Sequence, residues 1–565
     1  MVLWRRLTTF LGALPAGAVI WGLALVFCLW ALVDLMGLRF SGGLANSTYD
    51  TMVRMRFHTP QRDPRIVIVD IDEASLAQMG KEFGRWPWPR DTLATVLDYI
   101  EKQQPAAIAW DIVFSDVDRL SPGGDKAFDE AARRSLHSHF SVVRLPSEYD
   151  NLSQVTRSKL PKLWDNTQAA SVSAGVTPSS VALIAPVLPA VAGSALGYNN
   201  GYPDADGVLR RYRFAETLND TSQIASMALS VARSVAPENA TKIIASREYS
   251  ISENTGFVSK NKGSLMVWMD RANGYPRVPF AQVFTVAEGG KAHSTTPNFT
   301  GKIVLIGATA SSLHDIHPTP LGPLHAGVDS LATAIDNAVN GHQLAELPRW
   351  LQAGLAVLMC LGIAAWVQRY GIASLDAALL LLPGTLLTIS YISLNAPGWF
   401  AVPVFLDLHL AAGVALLYLA LLRIWNGWRR NYWCGNVVVQ EAEREETEPL
   451  ALMAMGHVTD PAADSGLDRL INRLSMHAPQ CRVVGGDATA TWPTRLRWPE
   501  LHSTYAVVGP LLAIQTLMHQ LHGKAGVQCA MPIVLAAQLP RHAIAQTAHQ
   551  ACAQLSKQLF SRSHV

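Results

Sequence analysis

The chain is 565 residues long, 49% hydrophobic and only 16% charged, with a formal net charge of +2. That length exceeds one ordinary domain, so several folded units are expected. The charged share lies below the roughly 25% of typical soluble chains, and the near-neutral balance argues neither for nor against nucleic acid.

Apolar residues concentrate in four runs, each near the roughly 20 residues that a membrane-spanning helix needs. They cover residues 16–37, 350–367, 372–394 and 400–422. The first is longer than the apolar part of a cleaved signal peptide. Its "MGLRF" ending lacks the small-residue cleavage pattern, so it is read as an uncleaved anchor. Arg5 and Arg6 precede the first run, Arg369 separates the second from the third, and Arg423, Arg429 and Arg430 follow the fourth. All six fall on one side of the membrane, which the basic-residue rule makes cytoplasmic; Arg349 falls on the other. The expected layout places residues 1–15 inside, 40–345 outside and 451–565 inside. Residues 423–450 are a linker, basic in "RIWNGWRRNYW", where lipid headgroups are the expected partner, and acidic in "EAEREETE".

The six cysteines fit this map: Cys28 and Cys360 lie in the runs, and Cys434, Cys481, Cys529 and Cys552 in the inner tail. The outer segment has none, so a buried core rather than disulfides must hold it.

Strand and helix patterns alternate in the outer segment. "RIVIVDID" and "PAAIAWDIVF" are short apolar runs, and "DTLATVLDYIEKQ" between them carries Leu93, Val96, Leu97 and Ile100 at helical spacing. "GKIVLIGATA" is a third run, followed by "GVDSLATAIDNAVNG", a helix ended by Gly341. The pattern predicts an α/β fold with a parallel sheet. Asp70 and Asp72 are two apart and so share one face of the first strand. Asp111 lies late in the second run, and Asp315 follows the third. Ligand sites of open α/β sheets gather beyond the carboxyl ends of the strands. These carboxylates, with Arg85 and Arg90 nearby, are therefore candidate ligand-binding residues, expected to place at least one oxygen near Arg90. The alternative is that the arginines and aspartates pair to tie loops down.

The motifs "VDIDEASL", "GRWPWPR", "AAIAWDIVFSD", "GYPDADGVLRRYRF", "GKIVLIGATASSLHDIHPTPLG" and "GVDSLATAIDNAVNG" occur in this order between about Leu44 and Gly341. Together they resemble the CHASE type 2 sensors, extracytoplasmic domains of bacterial transmembrane receptors. The resemblance implies a sensor inserted between one transmembrane helix and three more, which is the layout that hydropathy gives. It also implies an inner-membrane, multi-pass protein with both termini cytoplasmic. In that family Trp86, Pro87, Trp88, Pro89 and Arg90 look like a signature loop. Prolines there bar helix until after Pro89. The tryptophans can cap the open end of the sheet, as ligand contacts or as a structural plug.

His314, Asp315, His317 and His325 crowd together, but Pro318, Pro320 and Pro323 deny the segment a helix, and no metal is assigned there. Asp376 near a span end, and Asp407 with His409 deeper, are read as packing or interface residues rather than an ion path. In the tail, strands are expected at "CRVVGG", "YAVVG" and "MPIVLAAQ", and helices near 464–476, 510–522 and 540–560, enough for a small α/β domain. Relatives carry cyclases or kinases at this end, yet no phosphate loop, kinase or histidine-kinase motif stands here. Gly485, Gly486 and Asp487 echo a diguanylate cyclase hairpin, but Ala488 replaces its glutamate. Arg495, Arg497 and Trp498 do not make a nucleic-acid patch. The expected function is sensing of a small-molecule or protein ligand outside, passed to a cytoplasmic signalling partner. No cofactor, nucleic acid or enzymatic step is expected, and a homodimer is left open. A divergent nucleotide cyclase or a structural envelope protein are the alternatives.

Overall fold

The computed structural model describes residues 16–38, 42–57, 60–119, 121–156, 159–160, 162–163, 180–218, 223–245, 264–268, 274–291, 298–342, 344–370, 375–395, 404–442, 450–457, 482–486, 504–521, 527–535 and isolated positions between 547 and 555. The chain divides into two compact units, 36–348 with 388–407, and 1–35 with 349–387 and 408–565.

The apolar helix α1 (Ala16–Val33) runs into a π-helical turn, Asp34–Leu38. The larger unit then opens with α2 (Gly42–Arg54), which buries Tyr49, Met52 and Val53 at helical spacing. Strands and helices alternate from there: β1 (Ile66–Ile71), α3 (Glu73–Phe83), α4 (Arg90–Glu101), β2 (Ala107–Val113), α5 (Pro122–Arg134), β3 (Ser138–Arg144), β4 (Leu183–Ile184) and β5 (Ala195–Tyr198). Next come α6 (Met227–Val235), β6 (Arg277–Pro279), α7 (Phe280–Ala287) and β7 (Ile303–Ala308). A hairpin of β8 (Ile316–Thr319) and β9 (Gly322–Ala326) leads into α8 (Gly327–Asn340), and β10 (Ala345–Glu346) closes the run. Gly341 ends α8 with φ 65°, a left-handed conformation that glycine adopts without strain.

The sheet has seven strands in the order β6-β1-β7-β2-β3-β4, with β5 also paired to β3. Every pairing is parallel except that of β4 with β3. Such strands are covered on both faces, which is why they read as unbroken apolar runs. Side chains still alternate between the faces. Val67, Val69, Ile71, Ile108, Trp110, Val304 and Ile306 pack with residues of α3, α4, α5 and α7 in one core. Ile66, Ile68, Ala107, Ala109, Ile303 and Leu305 are buried on the other face, where α6 and α8 lie. Each fully buried Val, Ile or Leu stabilises the fold by about 1.5–3 kcal/mol. A charge at Val69 or Val304, both wholly buried, would sit in this layer with no partner.

In the remainder, α9 (Arg349–Tyr370), α10 (Leu375–Asn395), β11 (Val404–Phe405) and α11 (His409–Ala442) follow. Residues 17–36 and 349–369 are helices long and apolar enough to cross a membrane; Leu381–Asn395 and His409–Trp425 are shorter apolar helices. The fourth apolar run departs from expectation. Val404 and Phe405 pair with Ala345 and Glu346 as strand, and helix begins only at His409. Asp407 therefore precedes the helix, its N–H donating to the Phe405 carbonyl at 3.0 Å. Hydropathy alone cannot separate a short buried strand from helix. Helix also continues through the basic run to Ala442, residues assigned above to a linker.

The tail holds an antiparallel sheet in the order β13-β14-β12-β15, with β16 on β12, where β12 is Leu450–His457, β13 Arg482–Gly486, β14 Thr504–Pro510, β15 Val527–Cys529 and β16 Ile533–Val534. The helix α12 (Leu511–Leu521) packs on it through Ile514 and Leu517. The strands expected at 481–486, 505–509 and 531–538 are present in part, and the central β12 was not foreseen. Asp487, the span 464–476, and Arg495, Arg497 and Trp498 lie outside the described residues.

Candidate functional site

Register places two of the expected carboxylates in one row. Asp70 of β1 is level with Gly307 of β7. Ile306 is level with Trp110 of β2, so the next step sets Gly307 beside Asp111. The row Asp70–Gly307–Asp111 crosses the carboxyl end of the three central strands, its outer members two strand spacings, roughly 9–10 Å, apart. A β-carbon on Gly307 would lie 2.7 Å from Val328 Cγ2 and 3.2 Å from Asp111 Cβ. Glycine there lets the first turn of α8 close down on the row.

Asp70 is buried and bound on both oxygens. Arg277 Nη1 donates to Oδ2 at 3.0 Å and Thr309 Oγ1 donates to Oδ1 at 2.7 Å. The same guanidinium reaches Asp329 in the first turn of α8 through Nη2. One cation thus joins β1, β6 and α8. Sequence reasoning missed Arg277, which stands in the short run "PRVPF". Asp72 does not share the row. The strand ends at Ile71, and Asp72 caps α3, accepting the Ser75 N–H at 2.7 Å.

Asp111 has a different setting. It is half-buried, and its Oδ1 accepts only an amide, Asn199 Nδ2, at 2.8 Å. Burial, and then the neighbouring charge of Asp315, push its carboxyl up to about 6, against the pull of Asn199 and His317. Asp315 lies between β7 and β8 and pairs with His317 Nε2 at 3.2 Å. That bond raises the imidazole above its usual range. The prolines of this segment give strand, as the barring of helix requires: β8 and β9 form a strap with His317 level with His325. His317 is exposed, whereas His325 is buried edge-on against Trp268, and its burial lowers its pKa.

The tryptophan loop and Arg90 lie elsewhere. Trp88, only 2% exposed, sits in the core on the α3, α4 and α7 side, 5.2 Å from Phe280. Trp86 meets it edge-on at 4.9 Å across a cis Trp86–Pro87 peptide. Arg85 is exposed. Arg90 opens α4; its N–H donates to Asp118 Oδ2 at 3.0 Å, and its guanidinium binds Asp125 and the Asp116 carbonyl. The expected approach of Arg90 to the strand-end carboxylates is therefore corrected: its carboxylate partners are Asp118 and Asp125. The cause is the two-residue period, because Asp70 and Asp111 face α8 while Val69 and Trp110 face the loop.

A second charged constellation grows from "DADGVLRRYRF". Arg210, 1% exposed, grips Asp50 of α2 with Nε and Nη2 at 2.8 and 2.7 Å. It also binds Asp206 twice at 2.8 Å and Asp204 at 3.1 Å. Arg211 holds Asp204 at 2.8 and 2.7 Å and Glu346 of β10 at 2.9 and 2.5 Å. Burial works to lower both guanidinium pKa values, but the carboxylate partners outweigh it and raise them, so both cations stay charged. The strap touches this lock directly: the Leu209 N–H donates to the Pro318 carbonyl at 2.8 Å. The lock was quoted as a motif but its partners were not readable, since Asp50 and Glu346 stand 160 and 135 residues away.

Among the described residues, no group of three or more His, Cys, Asp or Glu is placed to hold a metal. The row and the adjoining strap bring carboxylate oxygens, an amide and an imidazole together. No curated protein and no solved structure matches the chain. The family model of the CHASE2 domain matches residues 23–367, more than half of the chain, beginning within α1 and ending within α9. CHASE2 domains are extracytoplasmic sensory domains that occur in membrane receptors, and this chain belongs to that family.

Proposed function

We propose that the chain is a bacterial inner-membrane sensor. Its outer domain meets a small-molecule or protein signal at the Asp70–Asp111 row and its strap, and transmits the change to a cytoplasmic partner. The observation that carries this reading is the Arg210–Arg211 lock. It joins α2, which follows the first apolar helix, to β10, which precedes the second. A sensor has to present its internal rearrangement at the chain ends that lead to the membrane, and here adjacent guanidinium groups hold both. A shift of the strap reaches the lock through Pro318 and Leu209. Displacements of about 1–2 Å between helices are enough for such signalling, provided the signal binds the two arrangements with different affinity.

In this reading four segments cross the membrane, both termini are cytoplasmic, and the residues beyond about 450 act as a binding surface. A reporter active only outside the cytoplasm is expected to respond when fused after Thr296 and to stay silent after Glu446. Deleting residues beyond 450 is expected to abolish the difference in transcript profile between cells with and without the chain, while membrane insertion persists. A difference that survives the deletion would place the output in the membrane helices. Conversion of a nucleoside triphosphate by the tail would make it an enzyme.

A further inference from the structure

Two of the six cysteines stand side by side in the smaller unit. Trp21 Nε1 of α1 donates to Gln368 Oε1 of α9 at 2.7 Å. Two turns further along α1 and about two turns back along α9, Cys28 and Cys360 come level with each other, and both pack in one apolar cluster. In this antiparallel register, Cys28 and Cys360 lie on the same seam. That seam is built from Ile20, Ala24, Phe27 and Ala31 on one helix and Ala356, Ile363, Ala364 and Val367 on the other, all buried. Alanines there let the helices approach closely. From α11, Tyr418 closes the seam, donating its hydroxyl to the Ile20 carbonyl at 2.8 Å, its ring tilted against that of Phe27 at 5.5 Å. Both cysteines lie near the middle of the apolar windows Gly17–Met36 and Arg349–Arg369.

We infer that Cys28 and Cys360 are a modification site: a lipid-soluble quinone oxidises them to a disulfide that fixes α1 against α9. Two S–H bonds break and one S–S bond forms; two electrons and two protons pass to the quinone, which becomes a quinol. Because the protons leave with the electrons, no thiolate has to persist in apolar surroundings, where charge is strongly disfavoured. Water-soluble disulfides do not reach this depth, which selects the oxidant by its solubility. The reverse step needs a two-electron reductant of the same kind, so the state of the pair follows the ratio of quinone to quinol. A disulfide demands α-carbons about 4.4–6.8 Å apart, and two cysteines level with each other across a seam of buried alanines are placed for such an approach. The consequence for signalling rests on the sensor reading, since a linked pair stops α1 from sliding along α9. Formation of the bond does not depend on that reading and is tested by itself.

The full chain in phospholipid vesicles is exposed to a decyl-chain benzoquinone with every ring position substituted, which excludes covalent addition of the thiol. It is then denatured, alkylated, digested without reductant and analysed by mass spectrometry. The expected result is a linked peptide containing Cys28 and Cys360, matched loss of both alkylated peptides, and their return on treatment with dithiothreitol. In Cys28→Ser, the alkylated Cys360 peptide should stay at its untreated level. Linkage with copper–phenanthroline but not with the quinone would overturn the quinone as oxidant. Absence of linkage with either reagent, or oxidation of one cysteine without the other, would overturn the pairing itself.

Discussion

The lock and the carboxylate row beside the strap are both rich in carboxylates, yet they handle charge in opposite ways. In the lock, Asp50, Asp204, Asp206 and Glu346 each meet a guanidinium, whose charge is constant. At the row, beside the strap, Asp111 meets an amide and faces Asp315, whose own partner is an imidazole. Arginine pairs hold geometry, because their charge is constant and their fork is rigid. Carboxylate, amide and imidazole leave a site that a proton or a cationic group can rebalance. On the proposed sensor reading, the lock is the part that stays fixed and the row the part that responds.

The strongest way to break this contrast is to remove a guanidinium. Arg210→Met leaves Asp50 and Asp206 without their guanidinium partner, and losing one side of a buried ion pair typically costs about 3–5 kcal/mol. Thermal unfolding of the variant should show that loss at pH 5 and pH 7.5 alike; a loss confined to one pH would mean that the lock titrates.

Asp111→Asn sharpens the contrast at the row. The folded-state pKa of Asp111 is raised above the unfolded value of 3.8 to about 6. Its stabilising contribution is therefore fully present below the unfolded pKa and is lost as pH rises through about 6. At pH 7.5 the ionised group is a burden, so the asparagine variant should be more stable by roughly 1–3 kcal/mol, from about 1.4 kcal/mol per pKa unit reduced for partial solvation. His139 works in the opposite sense. Burial lowers its pKa to about 4, so its contribution is lost as pH falls from 6.5 toward that value. In the parent chain the two offset each other. The variant lacks the compensating group and should lose more stability than the parent between pH 6.5 and 4.5 in parallel urea titrations.

The smallest effect is expected at Arg90→Gln. It loosens the link between α4 and the Asp116–Asp125 loop, at a cost of about 1 kcal/mol, and should leave the pH profile unchanged. A shifted profile would mean that Arg90 faces the carboxylate row after all.

Much of this was legible in the chain. Apolar runs gave β1, β2 and β7, and Asp70 and Asp111 could be placed at strand ends by position alone. Helical spacing gave α4 and α8, and Gly341 marked the end of α8. Asp72 misled because a two-residue spacing implies a shared face only while the strand continues, and "DEAS" was a helix cap. Arg90 misled because nearness in sequence to a strand end does not say which face of the sheet a loop covers. Arg277, Asn199 and the partners of Arg210 and Arg211 come from distant segments. A single sequence carries no signal for such pairings. The start of α11 was hidden because Val404 and Phe405 are as apolar as any helix residue, and only their pairing with β10 makes them strand.

The central claim is that the lock couples the two chain ends of the outer domain, and hydrogen exchange tests it directly. Glu346→Gln removes one charge at β10 and touches no residue of α2. Exchange by mass spectrometry in the full chain should then speed up in peptides covering 345–347 and also in those covering 48–54, while β1 keeps its protection. Faster exchange in 345–347 alone, with 48–54 as slow as in the parent, would show that the two ends are held independently and would contradict the coupling.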